Sequence, residues 1–426
     1  MQVQENTRSA GNGIKIVQKH FNKKFCRVQG RFFKRAPGRR RQNYCYFLAD
    51  RYCIFCRFMI KVNMQKKNFG LILGGGQGTR FWPWSTQEVP KQFLNIIGDE
   101  PLITQTYNRL KTFIPPENIY VVADIKYLWW IMDSIRGFEQ SHLITEPQPR
   151  NTAPCLILAN IYLSRIDEDA NVLVVPADHF IPDTKIFASQ MKDALEAADD
   201  KCVITCGIKP GIPHTGYGYI KFNETSSSRT GKSEFFEVME FKEKPELPVA
   251  EQYLKEGNYF WNSGMFVYKI KHFKEFLGDY APYYFIQYTE LEKAFHHKLS
   301  FYETFTNIKA ESIDYALMEK LPDVKMFKAK FNWDDLGSWS TVYQLNPKDE
   351  QNNMTLKKNN IFIDSKNSMI FSTNDKPVAA VGLKDIAVIN TDNGVLVAEM
   401  KDLQRVREVI KKLEARTEKP NEPGGW

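Results

Sequence analysis

The residue pattern best suited to chemistry is a glycine-rich turn that follows a short apolar run at residues 69–73. Four of the five residues from 74 to 78 are glycine, and an arginine and a Pro-Lys pair follow at Arg80, Pro90 and Lys91. Glycine carries no Cβ atom, so the backbone N–H groups of such a turn can approach a phosphate closely. Because the apolar run also has the length of a buried strand, the sequence predicts a strand that leads into a nucleotide-phosphate loop.

Two common phosphate-binding motifs do not fit this turn. No Gly-Lys-Ser/Thr follows the glycines, which excludes a Walker A loop, and the dinucleotide motif fails because Thr79 and Phe81 stand where its third glycine would be. The stretch G-G-G-Q-G-T-R-F-W-P, followed by P-K-Q-F-L at residues 90–94, instead resembles the N-terminal signature of sugar nucleotidyltransferases. Its Trp82-Pro83 pair and the P-K-Q-F-L segment resemble, more specifically, the mannose-1-phosphate guanylyltransferase family.

The resemblance implies a GTP site built from two segments. In the first, the glycine loop, Arg80 and Lys91 hold the triphosphate. The second, L-I-T-E-P-Q-P-R-N-T-A-P at residues 143–154, resembles the guanine-binding loop of the family, and Glu146 or nearby carbonyls can accept from the N1–H and amino group of guanine. Thr152 is also a candidate N-cap for a helix at residues 153–166. The expected GTP-binding residues are Leu73, Gly74, Gly75, Gly76, Gly78, Thr79, Arg80, Lys91, Glu146, Pro147, Asn151 and Thr152.

The resemblance also implies a metal site made of two carboxylates. An apolar strand at residues 171–175 ends in P-A-D-H, and Asp178 corresponds to the metal-binding aspartate of the family. The motif W-D-D-L-G-S-W at residues 333–339 matches W-x-D-x-G-S-W, so its spacing selects Asp335 rather than Asp334 as the second ligand. Carboxylate oxygens are the ligands that Mg²⁺ prefers, so Mg²⁺ is the expected cofactor. Taken alone, an aspartate followed by a histidine, as at Asp178, is more often part of a turn or a helix cap than a metal ligand.

Two further motifs resemble the sugar-phosphate site of the family: K-E-K-P at residues 242–245 and W-N-S-G-M-F at 261–266. The glycines of P-H-T-G-Y-G-Y-I at 213–220 would let the backbone approach a sugar ring. Glu243 can accept from sugar hydroxyls, and Lys244 offers a positive charge to the sugar phosphate. Without the family context, this pair would be taken for a surface salt bridge. The expected sugar-phosphate residues are Gly218, Glu243, Lys244, Asn262 and Ser263. The serines at 226–228 indicate a polar hairpin tip or loop.

The alternation of strand and helix patterns predicts an α/β fold, and the resemblance specifies a Rossmann-like, GT-A-like nucleotidyltransferase domain with a mixed sheet at residues 64–345. Residues 346–426 change to short alternating segments and a final amphipathic helix at 402–413, similar to the small C-terminal β-helix-like extension of the family. An aromatic-rich helix is expected at 273–295. The chain ends before the isomerase domain of longer family members, so a monofunctional enzyme is expected.

Residues 1–63 differ in composition from the rest of the chain, with 15 Lys and Arg residues against Glu5 and Asp50. They also contain four of the seven cysteines, including Cys53-x-x-Cys56, but the second half of a zinc site is absent at familiar spacings. Nucleic-acid binding and an organelle transit peptide are alternatives for this extension. We favour translation from Met64, which leads directly into the first strand.

Together, the motifs imply transfer of GMP from GTP to α-D-mannose 1-phosphate, with Arg80, Lys91, Asp178 and Asp335 as the catalytic residues. The alternatives are a related enzyme with another sugar or base, and a catalytically silent regulatory homologue. The net negative charge of the residues after 63 disfavours a nucleic-acid partner. No secretory signal or membrane span is found, so a cytoplasmic protein with reduced cysteines at 155, 202 and 206 is expected. A homodimer remains open.

Overall fold

The structure of the chain is a computed structural model, and it describes residues 67–76, 78–198 and 201–417. The basic extension at residues 1–63 and the expected start at Met64 lie outside the described residues. Among the residues described, no helix has both the length and the apolar character needed to cross a membrane.

A large mixed sheet carries the predicted site. Its strands are β1 (Asn68–Leu73), β2 (Ile119–Asp124), β3 (Leu143–Glu146), β4 (Asn171–Pro176), β5 (Val203–Ile208), β6 (Tyr219–Thr230), β7 (Ser233–Lys242), β8 (Tyr259–Lys269) and β9 (Val324–Lys328). They are hydrogen-bonded in the order β3-β2-β1-β4-β8-β5-β9-β7-β6. Strand β1 runs parallel to β2 and β4, whereas β8 runs antiparallel to β4.

Helices cover both faces of this sheet. They are α1 (Leu102–Lys111), α2 (Leu128–Ser134), α3 (Thr152–Asp167), α4 (Thr184–Ala197), α5 (Leu247–Glu256), α6 (Ile270–Tyr280), α7 (Pro282–Ala294), α8 (Lys298–Asn307) and α9 (Ile313–Ala316). Successive strand residues face opposite sides, so Phe69 and Leu71 join the core on the α3 side while Ile72 joins the core on the α1 side. The apolar run of β1 is therefore buried on both faces, as expected for a central parallel strand.

The pairing register of the parallel strands brings the predicted site residues to one edge of the sheet. Leu73, the last residue of β1, pairs with Pro176 at the end of β4. Glu146, at the end of β3, pairs with Asp124 of β2. The glycine loop, Asp178 and Glu146 therefore all follow or end strands at the carboxyl edge, where open α/β sheets bind ligands.

The C-terminal part is a small stack of short strands. These are β10 (Met354–Thr355), β11 (Ile361–Ile363), β12 (Met369–Ser372), β13 (Ala379–Val381), β14 (Ile386–Thr391) and β15 (Gly394–Glu399), flanked by α10 (Trp339–Leu345) and α11 (Val406–Thr417). β11 and β13 pair in parallel, and Val378 N donates to Asn360 Oδ1, 18 residues earlier. This repeat is the stacking expected of a β-helix-like domain.

Three sequence expectations about elements were wrong in detail. The serines at 226–228 lie inside β6, and the hairpin tip falls at Gly231, which has a φ of +57°. The predicted helix at 273–295 is divided between α6 and α7, because Pro282 can begin a helix but cannot continue one. The final helix begins at Val406, after a 3₁₀ segment at Met400–Arg405.

Candidate active site

A cavity of about 310 Å³ lies at the carboxyl ends of β1 and β4. Its walls come from the glycine loop, from the loop after β4 and from the segment before α10. The lining residues are Gly78, Arg80, Phe81, Lys91, Asp178, His179, Asp335, Leu336 and Gly337. The structure therefore brings together the four predicted catalytic residues, which are separated by up to 255 positions in the sequence.

Lys91 is the central cation of the cavity. Its buried ammonium lies 2.8 Å from Asp178 Oδ2 and also donates to the backbone carbonyl of Asp335. Burial alone would raise the pKa of Asp178, but the Lys91 ammonium, its neighbour His179 and a backbone hydrogen bond together outweigh this effect, so the pKa lies below its usual value. Asp178 is therefore an anion at neutral pH.

His179, the next residue, is buried, and burial lowers its pKa to about 4. The ring is therefore neutral at pH 7, and its Nδ1 atom accepts from Trp333 Nε1 at 3.1 Å. A neutral, hydrogen-bonded imidazole supports the loop that carries Asp178 without adding charge to the cavity.

The two neighbouring aspartates at 334 and 335 have different roles in the structure. Asp335 lines the cavity, and its Oδ1 accepts from the Tyr217 hydroxyl at 2.7 Å. Asp334 instead serves the backbone, because its Oδ1 accepts from Leu336 N at 2.6 Å and supports a φ of +47° at Leu336. The carboxylate that faces Asp178 across the cavity is thus that of Asp335.

The glycine loop is held by side chains that sequence reasoning did not assign to the site. Gln92 Nε2 donates to the carbonyls of Gly74 at 2.7 Å and Gly76 at 3.3 Å. Ser85 Oγ donates to the carbonyl of Gly78 at 2.7 Å. These contacts occupy carbonyls of the loop. Gly78 has a φ of +56°, and a Cβ atom there would collide with Lys91. The position of Gln92 next to Lys91 in P-K-Q-F-L was the available sequence signal.

The segment predicted to bind guanine begins with β3 and continues beyond its last residue, Glu146. Glu146 is 4% exposed, and burial raises its pKa to about 7, although a hydrogen bond from the Cys155 thiol acts in the opposite direction. The nearby negative charge of Asp124 raises the pKa further. A Cβ atom on the exposed Gly75 would lie 3.9 Å from Glu146 Oε2, so the glycine loop runs beside this carboxylate.

The two other polar side chains predicted to bind GTP in this segment, those of Asn151 and Thr152, bond to the backbone. Asn151, not Thr152, is the N-cap of α3, since Asn151 Oδ1 accepts from Thr152 N at 2.8 Å. Asn151 has a φ of +65° and a ψ of −176°, a strained conformation that residues other than glycine rarely adopt. Thr152 Oγ1 instead accepts from Ile313 N at 2.8 Å, so it joins the guanine segment to α9.

The predicted sugar-phosphate residues gather around the end of β8. Glu243 Oε1 lies 2.6 Å from Lys244 Nζ, and Asn262 N donates to the carbonyl of Gly218 at 2.8 Å. A Cβ atom on Gly218 would collide with the Glu243 carboxylate. Ser263 is the exception: it is 2% exposed, and its hydroxyl donates to the Cys206 carbonyl at 2.7 Å, inside the core. The structure therefore does not bring the Ser263 hydroxyl to this group.

Tyr217 links the predicted sugar-phosphate residues to the carboxylates of the cavity. Its backbone carbonyl accepts from Lys244 N at 3.2 Å, while its hydroxyl donates to Asp335. Its ring stacks on His214 with centroids 3.9 Å apart. Burial and the Asp335 charge raise the pKa of Tyr217, so it remains a hydroxyl donor. The motif P-H-T-G-Y-G-Y-I contains it, but its tyrosines gave no chemical reason to choose one.

Asp178 and Asp335 are suited to hold a cation only together with substrate. Among the described residues, no group of three or more His, Cys, Asp or Glu side chains could hold a metal ion by itself. Two carboxylates facing one polar cavity nevertheless offer the hard oxygen donors that Mg²⁺ uses, since Mg²⁺ commonly takes one or two carboxylates plus phosphates and water. The residues therefore fit a Mg²⁺ ion whose remaining ligands are phosphate oxygens and water.

Comparisons with known proteins place the chain in a family. A family model described as nucleotidyl transferase matches residues 69–352. A mannose-1-phosphate guanylyltransferase of Escherichia coli is 32% identical over 355 residues, which are 81% of this chain and 75% of that protein. The chain belongs to the mannose-1-phosphate guanylyltransferase family. A family member from Salmonella montevideo is 34% identical over 350 residues, which cover 80% of this chain and 73% of its own length.

The family assignment extends to the C-terminal domain and to a solved structure. Residues 358–413 match a model described as the MannoseP isomerase/GMP-like beta-helix domain, which confirms the predicted β-helix-like extension. A Thermus thermophilus crystal structure, described as mannose-1-phosphate geranyltransferase, superposes with a TM-score of 0.72 at 29% identity. That similarity covers 82% of this chain and 99% of the other. The predicted fold, a nucleotidyltransferase domain followed by a β-helix-like domain, is therefore confirmed.

Proposed function

We propose that the protein transfers GMP from GTP to α-D-mannose 1-phosphate and releases pyrophosphate. The observation that carries this proposal is the convergence of Lys91, Asp178 and Asp335 below a glycine loop, with Tyr217 connecting them to the sugar group. The relatives named mannose-1-phosphate guanylyltransferase support the choice of substrates.

The reaction is a single displacement at the α-phosphorus of GTP. A phosphate oxygen of the sugar phosphate forms a new bond to that phosphorus, and the bond to the bridging oxygen breaks, so that the electron pair leaves with pyrophosphate. The attacking oxygen is already ionised near neutral pH, so no side chain has to remove a proton. Catalysis then consists of holding the reactants in line and offsetting the charge that accumulates in the transition state.

The residues of the chain divide this work by position. Backbone N–H groups of the glycine loop approach the triphosphate, and Arg80 and Lys91 offset its charge. Lys244, whose side chain is about half exposed, binds the phosphate of the sugar. Asp178 and Asp335 would hold Mg²⁺, which when bound supplies Lewis-acid neutralisation of the phosphates. Tyr217 positions Asp335 through its hydroxyl.

Selection of guanine belongs to Glu146. Guanine presents an N1–H and an amino group, both donors, whereas adenine has an unprotonated N1 acceptor and no 2-amino group. A carboxylate therefore pairs with guanine and is left facing an acceptor with adenine, which costs on the order of 1 to 3 kcal/mol. Glu146 Oε2 lies beside the exposed Gly75, 3.9 Å from the position of a Cβ atom there, so the base would reach this oxygen across Gly75.

A pyrophosphate-release assay tests the proposal. GTP, ATP, UTP and dTTP are crossed with mannose, glucose and fucose 1-phosphates. We expect the highest kcat/KM with GTP and mannose 1-phosphate. Preference for another pair would assign the enzyme to a related sugar nucleotidyltransferase. Absence of release with every pair, from a folded protein, would indicate a catalytically silent homologue.

A further inference from the structure

The short helix α9 places Asp314 beside the predicted sugar-phosphate residues. The sequence alone did not assign this aspartate to the site. Ile313 and Ala316 are buried, Ser312 Oγ accepts from Tyr315 N at 3.4 Å, and Thr152 Oγ1 accepts from Ile313 N at 2.8 Å. These contacts fix the turn at its start. Asp314, between the buried residues, is half-buried and faces strand β8.

Asp314 holds Asn262 in one orientation. Asn262 Nδ2 donates to Asp314 Oδ1 at 2.9 Å, and Asn262 Oδ1 accepts from Gly264 N at 3.0 Å. The amide of Asn262 therefore has its oxygen occupied and retains one N–H. This hydrogen bond uses Oδ1 of the Asp314 carboxylate, and Oδ2 takes no part in it.

The surroundings of Asp314 are rich in acceptors. Burial raises the pKa of Asp314 to about 6, and the negative charge of Glu243 adds to this effect. Lys244 is the ammonium of this group, and it already lies against Glu243 Oε1. The two carboxylates themselves are best satisfied by uncharged O–H donors, because an anion placed directly against them would be repelled, whereas Lys244 is the cation that faces the phosphate.

We propose that Asp314 is a sugar-binding residue. Its Oδ2 accepts a hydrogen bond from one hexose hydroxyl, and the adjacent hydroxyl donates to Glu243. The inference rests on the proposed function, because it needs a sugar phosphate with its phosphate at Lys244. The ligand class follows from the donors required. A hexose offers several adjacent hydroxyls, whereas a phosphate or a nucleobase edge does not.

A divalent cation is a weaker occupant of this position. Among the described residues, no group of three or more potential ligands forms a metal site, and the Lys244 ammonium already occupies the Glu243 carboxylate. Glu243 also packs over Gly218, where a side chain would collide with it. Gly218, Glu243, Asn262 and Asp314 thus form one polar cluster, in which Glu243 packs against Gly218 and Asp314 bonds Asn262.

The Asp314→Asn substitution distinguishes a role of Asp314 in sugar binding from a role in supporting Asn262. The asparagine oxygen can still accept from Asn262 Nδ2, but an NH₂ group replaces the free oxygen, so a sugar hydroxyl meets a donor. We expect KM for mannose 1-phosphate to rise roughly tenfold to a hundredfold, the loss typical of a hydrogen bond to a charged group. KM for GTP should stay within about twofold, since the nucleotide is bound elsewhere. Glu303→Gln removes an exposed acid on α8 and is the matched control.

Deoxy analogues identify the hydroxyl. The 2-, 3-, 4- and 6-deoxy forms of mannose 1-phosphate are assayed with the wild-type and Asp314→Asn enzymes. One analogue should be poor with both enzymes to the same degree, because its missing hydroxyl is the partner of Asp314. Equal sensitivity of every analogue to the mutation would overturn the proposal, as would a rise in KM for GTP equal to that for the sugar phosphate.

Failure of the proposed function can be told apart from failure of this inference. If the wild-type enzyme prefers another sugar 1-phosphate or base, the same comparison is run with that pair. Should the wild-type enzyme show no turnover, calorimetry with mannose 1-phosphate alone replaces the kinetics. Thermal melting of both variants checks folding. A folded Asp314→Asn enzyme with unchanged sugar affinity overturns the assignment of Asp314, whatever nucleotide the protein uses.

Discussion

The two consecutive aspartates at 334 and 335 have different contacts, although they are neighbours in the sequence. Asp335 faces the cavity with Asp178, whereas Asp334 bonds the backbone of Leu336. We expect Asp178→Asn and Asp335→Asn each to lower kcat by orders of magnitude, because a charge that acts on the transition state is lost. Asp334→Asn should retain most of its turnover, since its amide oxygen can still accept from Leu336 N.

The measurement for these aspartates is kcat at saturating Mg²⁺, with melting curves as a check on folding. Near-normal turnover in Asp335→Asn, combined with an inactive but folded Asp334→Asn, would show that the wrong aspartate was assigned to the cation.

The raised pKa of Glu146 makes base selection depend on pH. Its pKa is about 7 in the folded protein, so the carboxylate that guanine needs is fully present above pH 7 and is lost as the pH falls below it. The groups that face it are Asp124 and the Cys155 thiol. We expect the ratio of kcat/KM for GTP to that for ATP to fall with decreasing pH, by up to about tenfold per pH unit.

The ratio is the correct measurement here because titration of the triphosphate affects both nucleotides and cancels. Glu146→Gln is the control: it should lower the ratio at high pH and remove its pH dependence. Lys244→Ala should weaken use of mannose 1-phosphate without changing the ratio. If Glu146→Gln leaves both the ratio and its pH profile unchanged, the backbone carbonyls of the loop become the better candidate for base selection.

At the scale of elements, the loop before β6 couples the sugar group to the carboxylates through Tyr217. We expect Tyr217→Phe to lower kcat by roughly tenfold, because Asp335 loses a donor while the ring can still stack on His214. Tyr283→Phe is the control, since its exposed hydroxyl accepts from Lys309 N on another face. Equal activity in the two variants would remove Tyr217 from the positioning of Asp335.

The same elements show what the sequence could and could not predict. Strand positions followed from apolar runs, and the site motifs followed from residue types in order along the chain. Contacts between distant elements could not be predicted in this way. Thr152 was expected to cap its own helix, yet its hydroxyl accepts from Ile313, 161 residues later. Ser263 was expected at the sugar, yet the alternation of β8 turns it into the core.

At the scale of the whole molecule, the β-helix-like domain and the glycine loop share one core. Trp339 is fully buried, meets Phe81 of the cavity wall edge-to-face with ring centroids 5.2 Å apart, and donates from Nε1 to the Trp82 carbonyl. Phe371 of β12 lies 4.8 Å from Trp339. Thr391 Oγ1 donates to the Pro83 carbonyl at 3.2 Å. The C-terminal domain therefore supports the wall of the cavity directly.

This shared core leads to the expectation that the two domains unfold together. Phe371→Ala should lower the free energy of unfolding by about 3 to 5 kcal/mol, the usual cost of removing a buried phenylalanine. It should also lower kcat/KM for GTP below the melting temperature, because Trp339 and then Phe81 lose their packing. Phe371→Leu should restore most of both. Val397→Ala, at a position that is 63% exposed on β15, is the matched control and should change little.

Calorimetry of the wild-type and variant proteins is the deciding measurement. A single unfolding transition that shifts as a whole agrees with one shared core. A separate early transition of the β-helix-like domain, with unchanged GTP kinetics, would show that the two domains are energetically independent.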